Sequence, residues 1–202
     1  MGRGPRIDVG DIPYHVINRA NGRSRIFFED ADYVNFEYLL DEIRETYAMR
    51  ILAYHLMPNH WHLVLYPRKD GDLAKSLQWL GTTHARRFRT RTNTVGYGHL
   101  YQDRYKCFAI QKDAHLLAVL KYVERNSVRA GLAELAESWR WGSAYRRLKG
   151  TPQERSLLSE LPIDLPEDYR DWINAKESAE DLKNIRKSVD KSCAYGGSSS
   201  PN

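Results

Sequence analysis

Cysteine is scarce in this chain. Only Cys107 and Cys193 occur among its 202 residues, and no Cys-x-x-Cys pair is present. Zinc ribbons and disulfide frameworks need closely spaced cysteines, so neither is expected. Cys107 lies in an apolar, strand-like run, where we expect its thiol to be buried rather than catalytic.

Long apolar runs are also absent. No segment approaches the roughly 20 residues that a membrane-spanning helix needs, and the first residues contain no secretory apolar region. The chain has no internal repeat, and its apolar fraction of 42% can form a real core. We therefore expect a cytoplasmic protein with no membrane partner.

The charge is unevenly distributed along the chain. Residues 151–202 carry 7 Lys+Arg and 10 Asp+Glu, a net charge of −3, whereas the whole chain carries +5. Residues 1–150 therefore carry +8. This distribution favours a polyanion partner for the front of the chain, and the alternative is a solvated surface that happens to be basic.

Apolar spacing predicts seven elements in the order β-α-β-β-α-β-α. The first six form a ferredoxin-like β-α-β-β-α-β unit, with two helices on one face of a four-stranded antiparallel sheet. The expected fold class is α+β. The predicted strands are 14–19, 50–57, 60–66 and 104–110. The first predicted helix has Asp30 or Asp32 as its cap and runs to about Tyr47. The second runs from 73 to about 90 with Asp72 as cap, and the third from 115 to about 126 with Asp113 as cap.

Composition divides the chain near residue 148. Residues 10–148 are predicted to form the main domain, ending in an aromatic-rich segment at 139–145 that covers an edge or an end of the core. Residues 149–202 are predicted to form an irregular tail with short helices near 169–174 and 179–192. The Gly/Ser/Pro-rich end has a flexible composition.

Two histidines stand at the start of the third predicted strand. Because strand side chains alternate between faces, His60 and His62 share one face while Trp61 packs into the core. Two neutral imidazoles on one rigid surface can hold a divalent metal ion. Taken alone, the pair is more often a satisfied polar edge of a strand.

The third predicted helix carries the residues that would complete such a site. Tyr122 and Asn126 are four apart, so they share a helix face. A phenol can act as a nucleophile when the electrophile is polarised by a metal and held in line with it. The amide oxygen of Asn126 could be a third ligand, in a mixed site that suits Mg²⁺ or Mn²⁺. Tyr122 alone would be a packing residue, and Asn126 alone a helix cap.

Clustered arginines predict a nucleic-acid surface, because guanidinium groups bind backbone phosphates. Nearby tyrosines at 97, 101 and 105 could stack on unpaired bases. The alternative is a solvated helix face. The candidate DNA-binding residues are Arg19, Arg23, Arg25, Arg86, Arg87, Arg89 and Arg104.

Three segments together resemble the HUH single-strand DNA transposases, and within them the REP-associated tyrosine transposases. Residues 57–62, Met-Pro-Asn-His-Trp-His, resemble the family's histidine motif. Residues 14–19 resemble its opening strand, and residues 122–132 its tyrosine helix. The segments 141–145 and 182–195 resemble that branch too.

The resemblance implies metal-dependent cleavage of single-stranded DNA beside a hairpin, through a covalent bond between Tyr122 and a 5′ phosphate. It makes His60, His62 and Asn126 the metal ligands and the third helix the catalytic helix. The implied partner is a short REP-like palindromic hairpin, and the branch is expected to act as a monomer. The rival interpretation is a non-catalytic, sequence-specific DNA-hairpin-binding regulator with the same fold. A third, an RNA-binding module, lacks the aromatic pattern on the sheet face.

Two positions depart from the family pattern. Ser127 stands where the family usually has proline, so we expect a looser helix end there. The Gly/Ser/Pro end lies where relatives often continue to an aromatic residue, so hairpin recognition by the last residues is not predicted.

Overall fold

The computed structural model of the protein describes residues 8–111 and 114–191. Cys193, the predicted cap Asp113 and the Gly/Ser/Pro-rich end lie outside these residues. The main elements are β1 (Tyr14–Arg19), α1 (Asp30–Tyr47), β2 (Arg50–Met57), β3 (His60–Tyr66), α2 (Asp72–Arg91), β4 (Lys106–Ala109), α3 (Ala114–Glu124), α4 (Asn126–Arg129), α5 (Ser143–Lys149), α6 (Pro152–Arg155), α7 (Tyr169–Asn174) and α8 (Ala179–Lys191).

The four strands form one antiparallel sheet in the order β2-β3-β1-β4. This order and the sequence of elements confirm the predicted ferredoxin-like α+β fold. The fourth strand is shorter than predicted because only residues 106–109 pair with β1. The segment at 104–105 does not continue the ladder.

The two faces of the sheet have different chemistry. One face is apolar and packs against α1 and α2, with Trp61, Leu63 and Leu65 of β3 in the core. The opposite face carries the histidines and is covered by α3, which contributes to a second apolar cluster. We call the first the scaffold face and the second the histidine face.

Local chemistry explains how α1 begins and ends. Glu29 is the N-cap and forms a capping box with Asp32, which satisfies backbone N–H groups that the first turn leaves unpaired. Asp30 and Asp32 therefore belong to the first turn, and neither is the N-cap. The helix ends at Ala48, whose φ of 47° lies in the left-handed region. The predicted cap of α2 was also wrong, because Gly71 is the N-cap and Asp72 lies in the first turn.

The aromatic-rich segment covers the β2 edge of the sheet, as predicted. The backbone N–H of Leu56 donates to the carbonyl of Trp141 at 2.8 Å, and His55 forms an isolated bridge with Gly142. The Trp141 ring stacks on Tyr33 with centroids 4.7 Å apart. These contacts protect strand groups that would otherwise be unpaired.

The C-terminal part of the chain packs on the histidine face. Ile185 of α8 belongs to the same apolar cluster as α3, and Ile173 of α7 packs with Tyr169 in a third cluster. The predicted helices at 169–174 and near 179–192 are present, whereas α5 and α6 were not predicted. Thr151 starts α6 with a capping box, and the short sequence pattern Thr-Pro-Gln-Glu could have predicted this helix.

The division of domains at residue 148 stays a prediction.

Candidate active site

Strand alternation places the two candidate metal ligands together. His60 and His62 lie on the histidine face with ring centroids 5.1 Å apart, whereas Trp61 is 1% exposed in the scaffold core. The indole Nε1 of Trp61 donates to the Tyr101 hydroxyl at 2.9 Å, so its polar atom is satisfied. The predicted placement of His60 and His62 on one face and of Trp61 in the core is confirmed, and metal binding by the two histidines stays a prediction.

A third imidazole supports His62 from the neighbouring strand. Nε2 of His15 lies 2.9 Å from Nδ1 of His62, and both side chains are buried. If His62 donates its Nδ1 proton to His15, its Nε2 keeps a free lone pair. That tautomer is the one a metal ligand needs, and an imidazole whose other nitrogen is hydrogen-bonded is typical of metal-binding histidines.

His60 has a similar arrangement. Its Nδ1 lies 2.7 Å from the side-chain oxygen of Asn59, in the turn between β2 and β3. Because an amide oxygen only accepts, Nδ1 must carry the proton and Nε2 keeps the lone pair. The Asn59 amide is itself held by the carbonyl of Arg23 at 3.1 Å.

Burial keeps these histidines neutral. It lowers the pKa of His60 to about 4 and that of His15 to about 3, and the charges of Arg19 and Arg129 respectively act in the same direction. The pKa of His62 is also lowered well below its usual value, mainly by burial. Neutral imidazole is the form that binds a metal at neutral pH.

The structure brings the candidate nucleophile to the same place. Tyr122, near the end of α3, has its ring 6.1 Å from that of His62 and 6.0 Å from that of His15, both in edge-on contact. The Tyr122 side chain is mostly buried, with the guanidinium of Arg129 4.1 Å above its ring centroid. Residues from β1, β3 and α3 thus meet although they are far apart in sequence.

Asn126 is not on the same helix as Tyr122, so that prediction was wrong. The tyrosine helix ends at Glu124, Arg125 leaves helical geometry with ψ of 9°, and Asn126 begins the short helix α4. Asn126 is half-buried, and no hydrogen bond joins its side chain to another residue within 8–111 and 114–191. Its amide oxygen remains available as a metal ligand. Its position does not come from a helix face shared with Tyr122, as had been predicted.

The break after α3 is fixed by a buried histidine on β2. The backbone N–H of Ser127 donates to Nε2 of His55 at 3.1 Å, and both residues are completely buried. Behind the ring lies Gly142, where a Cβ atom would stand only 2.8 Å from Nδ1 of His55. A proline at position 127 has no backbone N–H, so it could not make this hydrogen bond to His55.

Four of the candidate DNA-binding arginines lie outside α2, and the strand register places one of them, Arg19, beside His60. Arg19 is exposed and pairs in the strand register with His60. Arg23 and Arg25 lie in the turn that contacts the Pro58-Asn59 loop, and Arg104 is exposed in the segment that follows Gln102, whose N–H donates to the Arg19 carbonyl. The guanidinium of Arg25 also donates to the Phe27 carbonyl at 2.7 Å.

The other three arginines lie on α2 and differ in their contacts. Arg87 pairs with Glu42 at 3.1 Å. Arg89 binds the carbonyl of Tyr97 at 3.0 Å and the hydroxyl of Thr94 at 3.2 Å, so it also stabilises the loop after α2. Arg86 is exposed and lines a shallow surface pocket of about 370 Å³ with that loop.

The three tyrosines predicted to stack on bases have different environments. Tyr101 accepts from Trp61 and lies 2.6 Å from Nδ1 of His84, and burial raises the pKa of its hydroxyl. It is partly buried against the main core, and these two contacts occupy its hydroxyl. Tyr97 is 76% exposed, and Tyr105 is half-buried against the main core.

A comparison of sequences decides the family. Residues 8–126, more than half of the chain, match the family described as "Transposase IS200 like". The chain belongs to this transposase family. The matched range contains every residue placed in the histidine and tyrosine cluster above, apart from Ser127, Arg129 and Gly142.

Two relatives extend this assignment of the transposase. Over 127 residues it is 26% identical to a REP-associated tyrosine transposase of Haemophilus influenzae, covering 58% of this chain and 72% of the relative. The fold of this chain is similar to that of a solved REP-associated tyrosine transposase bound to a REP hairpin. That match has a TM-score of 0.59 and 19% identity, and covers 88% of this chain and 99% of the other. At that identity the structural match shows the fold alone.

Sequence reasoning missed four residues around the candidate nucleophile. His15 and His55 were given no role, although each shares a sheet face with His62. Arg129 and Glu177 were assigned no role. The face of the two histidines could have been found from strand alternation once the register was known. Glu177 had no sequence indication, because its partners are about 50 residues away.

Proposed function

We propose that this transposase is a divalent-metal-dependent endonuclease and strand transferase acting on single-stranded DNA beside a hairpin. The observation that carries the proposal is the contact of the Tyr122 ring with His62, in a cluster where Nδ1 of both His60 and His62 is hydrogen-bonded and Nε2 is the nitrogen left for a metal. A packing tyrosine does not require this arrangement of imidazoles. A metal-assisted phosphoryl transfer does.

The donor set fits a metal that also takes oxygen ligands from its substrate. Within the described parts of the chain, no cluster of three or more His, Cys, Asp or Glu residues could hold a metal, so a closed protein site is not present there. His60 and His62 would supply two nitrogens and Asn126 an amide oxygen, leaving positions open for a phosphate. Mg²⁺ or Mn²⁺ suits this set. When bound, the metal would neutralise charge on the phosphate oxygens.

The chain's own residues would perform the following reaction. The phenol oxygen of Tyr122 attacks the phosphorus of a phosphodiester and loses its proton. A bond forms between Tyr122 and the 5′ phosphate, while the bond to the 3′ oxygen breaks and that oxygen takes up a proton. The phosphotyrosine retains the energy of the broken bond, so a second 3′ hydroxyl can rejoin the strand without ATP.

The DNA would enter across the candidate DNA-binding arginines. Arg19 lies beside His60, so the scissile phosphate would meet its positive charge on arrival, and Arg23, Arg25 and Arg104 lie on segments whose backbones adjoin this end of the sheet. Arg86, Arg87 and Arg89 would extend the surface along α2. The solved relative is bound to a REP hairpin, which supports a hairpin partner for this chain. We propose that it acts as a monomer.

The test is incubation with a labelled single-stranded hairpin oligonucleotide, with Mn²⁺, with Mg²⁺ and with EDTA. We expect a covalent protein–DNA band on a denaturing gel that requires the metal. Tyr122→Phe should abolish that band and leave binding on a native gel nearly unchanged, and His60→Ala or His62→Ala should lose the metal-dependent cleavage.

The alternative is a non-catalytic DNA-hairpin-binding regulator of the same fold. A native-gel complex without a covalent band under any metal would favour it. A covalent band that persists in Tyr122→Phe would refute the assignment of the nucleophile.

A further inference from the structure

A buried carboxylate from the C-terminal part of the chain lies between two arginines beside the tyrosine helix. Oε2 of Glu177 accepts from Nε of Arg125 at 2.7 Å, and its Oε1 forms an ion pair with Arg129. The Glu177 side chain is only 5% exposed. Burying a carboxylate is costly unless it is paired and hydrogen-bonded, and here both oxygens are occupied.

Arg129 connects this carboxylate to the candidate nucleophile. Its guanidinium lies 4.1 Å from the centroid of the Tyr122 ring, and its Nη2 donates to the Tyr122 backbone carbonyl at 2.5 Å. One planar group therefore contacts both the ring and the main chain of Tyr122. A guanidinium stacked in this way restricts the ring's rotation about its side-chain bonds.

The carboxylate is needed to keep the arginine there. Arg125 and Arg129 are like charges held close together in a poorly solvated place, and each opposes the other. Glu177 neutralises this repulsion and provides one oxygen to each. Without its charge, the lowest-energy response is for the more exposed Arg129 to swing towards water and leave the ring.

Other contacts anchor the same helix end without touching the ring. Glu124 accepts from Ser143 and from Tyr169, each at 2.6 Å, and Arg125 donates to the carbonyl of Ile173 at 2.9 Å. The backbone is therefore held from several sides. The Tyr122 ring itself is contacted by His62 and His15 on the sheet side and by Arg129, which alone connects it to Glu177.

We propose that Glu177 is a positioning residue for the nucleophile: through Arg129 it fixes the Tyr122 ring in the orientation needed for attack. The segment between α7 and α8 is thereby part of the active site. This inference rests on the proposed function only for its consequence in catalysis, since the link from Glu177 to the Tyr122 ring can be measured without DNA.

The experiment combines a spectroscopic and a kinetic measurement on the full chain. For the first, 3-fluorotyrosine at position 122 reports the ring environment by ¹⁹F NMR in the absence of DNA. For the second, the rate of covalent adduct formation is measured at saturating hairpin oligonucleotide with Mn²⁺. Both are applied to the wild type, to Glu177→Gln, and to Glu177→Asp, which keeps the charge and shortens the side chain.

Glu137→Gln is the matched control. Glu137 is also a buried carboxylate paired with an arginine, Arg170 at 3.2 Å, and with Asn174, but it has no contact with Tyr122. A general loss of stability in this region would affect both variants, whereas a change in the Tyr122 ring should follow only Glu177.

We expect Glu177→Gln to shift and broaden the ¹⁹F resonance and to slow adduct formation by roughly 10- to 100-fold. The DNA concentration for half-maximal rate should change less than about twofold. If Glu177→Gln does not fold, Glu177→Asp should show the same changes to a smaller extent. Glu137→Gln should leave both measurements near wild type.

An unshifted resonance and an unchanged rate in a folded Glu177 variant would overturn the inference. Equal effects in Glu177→Gln and Glu137→Gln would also overturn it, because the role would then be structural support only. If the wild type forms no adduct while the resonance still shifts in Glu177→Gln, the proposed function fails and the positioning link stands.

Discussion

The two faces of the sheet share the same strands but hold their partners by different forces. On the scaffold face, Trp61, Leu63 and Leu65 of β3 pack against α1 and α2 in an apolar core. On the histidine face, His60 and His62 of the same strand meet α3, whose end is held by buried hydrogen bonds and ion pairs. One strand therefore encodes both stability and chemistry, through its period of two.

This difference explains how the side chains of the candidate site are held in one geometry. Apolar packing is non-directional and tolerates volume-conserving changes, whereas a buried polar network is satisfied in only one geometry. The rigid scaffold on one face supports directional contacts on the other. Substitutions in the scaffold core should therefore change mainly stability, and substitutions of the two candidate ligand histidines should change mainly metal binding or catalysis.

Adjacent residues of β3 provide the largest contrast. We expect Trp61→Ala to lower the free energy of unfolding by about 3–5 kcal/mol, because it empties a fully buried site in the core. His60→Ala should change it by less than about 1 kcal/mol, because His60 lies at the half-buried mouth. Urea denaturation measures both values.

Metal binding should show the opposite order. By calorimetric titration with Mn²⁺, His60→Ala should lose binding, whereas folded Trp61→Ala protein should retain it within a few fold. Equal losses of stability in the two variants, or retained Mn²⁺ binding in His60→Ala, would contradict the division of labour between the faces.

The scaffold was largely predictable from the sequence, and the site was predictable only in part. The strands at 14–19, 50–57 and 60–66 follow from local alternation, and so does the placement of His60, His62 and Trp61. The break after α3 did not follow, because it depends on His55 from another strand. Distant partners decide such details, and apolar periodicity contains no information about them.

Ser127 offers a smaller test on the histidine face. Ser127→Pro removes the N–H that His55 accepts, which leaves a buried imidazole without its partner, so we expect a loss of about 1–3 kcal/mol in unfolding free energy. Ser127→Ala keeps the N–H and removes a hydroxyl that has no partner, so it should be nearly neutral. Thermal or urea unfolding distinguishes the two, and equal effects would argue against the His55 contact.

His84 provides the smallest test, on the scaffold side. Burial lowers its pKa to about 3, so the folded state keeps it neutral while the unfolded state gains a proton below about pH 6.5. Stability should therefore fall as the pH falls from 6.5 towards 3. His84→Gln should reduce that slope by up to about 1.4 kcal/mol per pH unit.

The measurement for His84 is the unfolding free energy between pH 4 and pH 8 for both proteins. Adduct formation at neutral pH should be unchanged in His84→Gln, since His84 packs with Phe27 and Phe36 away from the histidine face. A parallel pH dependence of stability in the two proteins would show that this imidazole is not held neutral.

Tyr122 is the proposed nucleophile among the 13 tyrosines of the chain. The most direct measurement is mass spectrometry of the covalent adduct after nuclease and trypsin digestion. Cleavage after Lys121 and Arg125 releases residues 122–125 as a short peptide. We expect this peptide to carry the nucleotide through a 5′ phosphate. A nucleotide found on any other peptide would contradict the assignment of Tyr122 as the nucleophile.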